Sequence, residues 1–129
     1  LVRNLVGADQ TTGAVAIGDV VQEGQTVQFH LRDAKSASED LHLLLAADRS
    51  RHPNAPLGAL VFSCCGRGQG LFGRPHHDSG VLTERLGQIP VAGFFAQGEI
   101  GPVGGRNFLH GYTASMALFA QPTSKAGAQ

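Results

Sequence analysis

Apolar and polar residues alternate along the first third of the chain. In segment 25–32, Val27, Phe29 and Leu31 fall on one side of an extended backbone, and Gln28, His30 and Arg32 on the other. Val15 and Ile17 repeat the pattern on a shorter scale. Segment 1–8 shares it, with Arg3 and Asn4 interrupting the apolar residues. Turn residues Asp9-Gln-Thr-Thr-Gly13 separate the first two of these strands, and Glu23-Gly24 precedes the third. The period then changes. Ala37, Leu41, Leu44 and Leu45 build one apolar stripe at helical spacing. Ser36 and Glu39 have the form of a capping box at the start of that helix. Arg49 and Arg51 suit the negative end of its dipole, and Pro53 and Pro56 forbid its continuation.

Beyond it, segment 58–63 is almost unbroken in apolar character and reads as a central strand buried on both faces. Segment 69–79 reads as a loop punctuated by Gly70, Gly73 and Pro75. A short helix is expected over 79–86, capped by Asp78 or Ser79 and closed by Gly87. Strands are expected over 90–96, 107–109 and 112–119. The sum is an α+β domain: a mixed β-sheet of about six or seven strands with two helices packed against it. We expect one domain over 1–120 and a disordered tail over 121–129.

A chain of 129 residues fits one domain with a real core. The net charge is zero, and eight arginines and two lysines lie scattered among ten acids. Without a basic stripe, nucleic acid is not an expected partner. No apolar run reaches the length of a membrane span and no signal peptide is visible. Membrane association is therefore not expected, and a cytoplasmic location is. The chain begins at Leu1 and its one methionine is Met116, so it reads as an excised domain or processed fragment. The two cysteines, Cys64 and Cys65, are adjacent. A bridge between neighbours would be strained, and two free thiols are expected.

Twelve of the 18 glycines lie between Gly66 and Gly111, where apolar runs end in glycine and one or two polar groups. Glycine permits tight turns and close approach to a ligand, so these endings are candidate sites rather than plain connectors. Arg67 could hold a carboxylate with its fork of donors, and Glu99 an ammonium, or the two could pair with each other. Cys65 with His110 as base and Glu99 as orienter would suit nucleophilic catalysis, although no spacing rule ties the three together. Gly68-Gln-Gly-Leu-Phe-Gly73 fits a dinucleotide fingerprint by letter, but Arg74-Pro75 forbids the long helix that motif must open. His76-His77 reads as a solvated loop. Neither C-x-x-C nor H-x-x-E-H is present, so neither a metal nor a cofactor is expected.

The same residues carry a resemblance. The 58–68 run Gly-Ala-Leu-Val-Phe-Ser-Cys-Cys-Gly-Arg-Gly, Leu71-Phe-Gly73, the 90–102 run ending Gly-Glu-Ile-Gly-Pro, and the 108–113 run Phe-Leu-His-Gly-Tyr-Thr resemble the C-terminal half of the FIST sensory domain. Leu1-Val-Arg-Asn-Leu-Val-Gly7 and segment 24–33 fit the start of that half, and the likeness runs to about Phe119. It implies a sensory, signal-transduction module that binds a small molecule, amino acids among the candidates, and it implies a preceding FIST N-terminal half. It brings no catalytic residue set. The expected ligand-binding residues are Cys65, Gly66, Arg67 and Gly68, then Gly98, Glu99 and Gly101, then His110 and Thr113. A cysteine enzyme and a protein-interaction scaffold are the alternatives. Unpaired sheet edge makes a homodimer a further expectation.

Overall fold

The computed structural model describes residues 2–121, and the tail expected over 121–129 lies outside the described residues from 122 onward. The chain divides into two compact units, Leu1–Leu31 and Arg32–Gln129. In the first, β1 (Leu5–Ala8) and β2 (Val15–Ile17) pair antiparallel, with Leu5 opposite Ile17 and Ala8 opposite Val15. Asp9 shapes the connection by accepting from the Thr11 amide at 2.8 Å and the Thr12 hydroxyl at 2.7 Å. The alternating segment 25–32 is not a strand. Period two alone does not make one: a strand needs a neighbour for its ladder, and segment 25–32 pairs with none among the described residues.

In the second unit two helices pack on one face of a small sheet around one core. Helix α1 (Ala34–Arg51) starts earlier than the Ser36 motif suggests. Its cap is Asp33, whose carboxylate accepts from the Lys35 and Ser36 amides, while the Ser36 hydroxyl also donates to it at 2.6 Å. Strand β3 (Gly58–Cys64) is central, with β4 (Val91–Ala96) parallel on one side and β7 (Ala114–Phe119) antiparallel on the other. Between β3 and β4 lie a 3-10 turn (Cys65–Arg67), a one-turn helix α2 (Gln69–Phe72) and helix α3 (His77–Leu86). A separate hairpin pairs β5 (Glu99–Val103) with β6 (Arg106–His110). Its tight turn is Gly104-Gly105, both at positive φ, as such a two-residue loop requires. The fold is thus α+β with a mixed central sheet, and among the described residues seven strands are shared among three small sheets.

The core joins Leu41 and Leu45 of α1, Ala59 and Val61 of β3, and Val81, Leu82 and Leu86 of α3. Burial alternates along β3: Ala59, Val61 and Ser63 are buried on the helix side, and Leu60 and Phe62 are half-buried on the other. The strand is therefore covered on one face within this unit rather than both. Leu44 of the expected stripe is exposed. Gly93 lets β4 approach β3, because a Cβ there would overlap the carbonyl oxygen of Val61.

Candidate functional site

The turn after β3 and the first turn of α3 are drawn together by one buried ion pair. Arg67 donates to Asp78 twice, from Nε to Oδ2 at 2.9 Å and from Nη2 to Oδ1 at 2.8 Å. Ser63, on the buried face of β3, donates to Oδ2 at 2.8 Å. His77 places Nδ1 3.0 Å from Oδ1, and its Nε2 lies 2.9 Å from the Ser38 hydroxyl of α1. Phe72 stacks on the His77 ring with centroids 3.5 Å apart. Burial pushes the Asp78 carboxyl up, but the bonds from Arg67, His77 and Ser63 outweigh it and hold the group below the usual carboxylate range.

This arrangement corrects three expectations. Arg67 does not pair with Glu99; its partner is Asp78. Helix α3 begins two residues early because His76 takes a left-handed conformation at its cap, which brings Asp78 into the first turn as a buried ligand for Arg67 rather than as a cap. His77 is buried, not solvated.

The three glycine-rich endings do meet along the backbone. The Cys64 amide donates to the Thr113 carbonyl at 2.9 Å. Gly66 lies against Tyr112, which holds positive φ and carries the Arg32 guanidinium 4.4 Å above its ring. Arg32 also donates to the Gly66 carbonyl. The Thr113 hydroxyl donates to Glu99 Oε2 at 2.8 Å, and Glu99 faces His110 across the β5–β6 ladder.

Beyond that Thr113–Glu99 bond, their side chains part company. A cleft of about 650 Å³ runs beside β4 to the end of β3 and is lined by Cys65, Arg67, Gly68, His76, Phe94 and Phe95, with Ser63 and Asp78 in its lining as well. A second groove of about 640 Å³ borders β7 and is lined by Gly101, His110, Thr113 and Ser115 together with Leu44, Ile100 and Met116. Glu99 is 2% exposed, and its Oε1 has no hydrogen-bond partner among the described residues. His110 donates from Nε2 to the Gly101 carbonyl at 2.9 Å. Cys65, His110 and Glu99 therefore form no hydrogen-bonded relay among the described residues. Cys65 is an exposed free thiol and Cys64 a buried one that accepts from the Gly66 amide. A hollow of about 680 Å³ in the first unit is lined by residues such as Val20, Val27 and Phe29 and carries none of the buried polar groups, all of which lie in the second unit.

Sequence reasoning picked out Arg67 and Cys65 but missed Ser38, Ser63 and Asp78 as partners. The His77-Asp78 dipeptide was the one visible signal. Among the described residues no helix is long and apolar enough to cross a membrane.

A family model described as FIST C domain matches residues 1–102. The uncharacterized protein Rv0628c of Mycobacterium tuberculosis is 56% identical over 119 residues, which are 92% of this chain and 31% of that protein. Mb0898c of Mycobacterium bovis, also uncharacterized, is 54% identical over the same length and shares. F-box/LRR-repeat protein At5g63520 of Arabidopsis thaliana is 31% identical over 105 residues, 78% of this chain and 20% of that protein. The chain spans 31% of the length of these mycobacterial relatives. No solved structure matches it significantly.

Proposed function

The chain belongs to the FIST C domain family, a family of sensory and signal-transduction domains, and on that premise we propose that it binds a small carboxylate-bearing metabolite, amino acids included, in the cleft beside β4. The observation that carries this reading is the composition of the cleft. Ligand sites commonly enclose about 300–1,000 Å³, mostly apolar, with a few fixed polar groups. Here Val91, Gly93 and Phe95, on the face of β4 shared with Ser63, offer the apolar wall, and Arg67 offers the fixed charge. Asp78 occupies Nε and Nη2 of that guanidinium and locks its plane. Nη1 and the second N–H of Nη2 have no hydrogen-bond partner among the described residues and are the donors left for a guest's carboxylate. Gly68 keeps the wall open, and the Cys65 thiol stands at the rim.

Glu99 favours a second reading. Its buried Oε1 lacks a partner among the described residues, and an ammonium group that passed Thr113, its hydrogen-bond partner in the wall of the β7 groove, to reach it would supply one.

One experiment separates the two. The twenty amino acids and a set of simple carboxylates (acetate, pyruvate, succinate) are screened for a rise in melting temperature. Each hit is then tested for protection of Cys65 against N-ethylmaleimide. The cleft reading expects at least one compound that stabilises the protein and slows Cys65 alkylation. Stabilisation that leaves the alkylation rate unchanged would move the site to the β7 groove, and a screen without a hit would remove both.

A further inference from the structure

We propose that Ser38 is an activated nucleophile, with His77 as its general base and Asp78 as the positioning carboxylate, and that it accepts an acyl group from an activated ester or thioester. The three residues come from two helices, 39 positions apart between Ser38 and His77, and stand in the order a serine relay requires: Ser38 Oγ is 2.9 Å from His77 Nε2, and His77 Nδ1 is 3.0 Å from Asp78 Oδ1. His77 and Asp78 also line the ligand cleft, whereas Ser38 does not, so the relay shares its base and positioning carboxylate with the cleft wall and keeps its nucleophile outside it.

The proton inventory fixes the direction of the His77–Asp78 bond. Arg67 and Ser63 surround the Asp78 carboxylate with three donors. An ionised carboxylate only accepts, so the hydrogen on His77 resides on Nδ1. In a neutral imidazole Nε2 then holds a lone pair, and the Ser38 hydroxyl is the group that donates to it. A serine whose proton already points at a basic nitrogen is arranged for attack. Phe72, stacked within 5° of parallel on the ring, and the Arg67–Asp78 pair behind it keep the imidazole from turning away. His77 and Asp78 are buried and Ser38 is half-buried, so the relay's base is shielded and its nucleophile is the least covered of the three.

The step balances without any other reactant. Ser38 Oγ bonds to the carbonyl carbon of the donor, and its proton passes to Nε2. Asp78 holds the imidazolium that forms. The adduct collapses, the donor's C–O or C–S bond breaks, and the departing alcohol or thiol takes the proton from Nε2. Ser38 is left as an ester and His77 as neutral imidazole.

A purely structural tie would share this geometry but not its reactivity. The test is incubation with p-nitrophenyl acetate, followed by release of p-nitrophenolate and by peptide mapping of the acetylated protein. Ser38 is expected to be acetylated at least about 100-fold faster than Ser36, Ser50 or Ser79, and His77→Gln to lower that rate by a similar factor, the size of a general-base contribution. Ser38→Ala is expected to abolish the modification and leave the fold intact, and this comparison decides the matter if His77→Gln does not fold. Acetylation spread over exposed serines with no preference for Ser38, or a rate unchanged in His77→Gln, would overturn the proposal.

Discussion

Replacing Arg67 by methionine would remove a buried charge while keeping the length of the side chain. The two members of the pair are 8% and 7% exposed, so water cannot take over the lost bonds. Asp78 would retain only Ser63 and His77. Deleting one partner of a buried pair typically costs about 3–5 kcal/mol, a large part of the roughly 5–15 kcal/mol that holds a domain together. At about 4 °C per kcal/mol for a domain near 100 residues, the midpoint should fall on the order of 12–20 °C. Thermal and urea melts followed by circular dichroism measure this directly. The deficit should also depend on pH. The folded Asp78 carboxyl titrates below its ordinary range, so its contribution is complete above the unfolded value and fades as pH falls through the lowered folded one. Arg67→Met should therefore be furthest below the parent near neutrality and approach it in acid. The double variant Arg67→Met/Asp78→Leu should recover much of the loss, because an apolar pair of similar volume needs no charge compensation. A single variant melting within about 3 °C of the parent, or a deficit equal at neutral and acid pH, would refute the reasoning.

Three further outcomes are expected. Gly66→Ala would place a methyl 2.5 Å from Tyr112 Cδ1 and 2.8 Å from Arg32 Nη1, costing about 1–3 kcal/mol; urea melts should show Gly66→Ala/Tyr112→Ala recovering part of it. Asp33→Ala removes the cap of α1 and should cost about 1 kcal/mol by the same measurement, whereas Ser36→Ala should cost less. Gly93→Ala would drive a methyl into the Val61 carbonyl and separate β3 from β4; loss of the cooperative thermal transition is the expected result, and a cost below about 2 kcal/mol would contradict it.

How much of this was legible in the sequence follows from the range of each interaction. Leu41 and Leu45 announced α1, and the apolar run at 58–63 announced β3, because local periodicity is written in neighbouring residues. The strand expected over 25–32 failed because a ladder partner is a non-local property. Asp33 was overlooked as a cap because Ser36 and Glu39 offered a complete local motif, yet Ser36 itself ended up donating to Asp33. Glu99 was placed in a loop, whereas the Gly104-Gly105 turn folds it into β5. The site divides in the same way. The glycine endings converge through backbone contacts, as Cys64 with Thr113 shows. Where Arg67 points was decided by Asp78, eleven residues away on a helix whose start depends on the left-handed turn at His76.

The claim that matters most is that a guest sits beside β4, against the locked guanidinium of Arg67. An amide NMR titration of the protein with the stabilising carboxylates tests it most directly. The expected result is saturable shifts confined to residues 63–69, 76–79 and 92–95. Shifts centred instead on residues 100–102 and 110–116, or none that saturate, would contradict it.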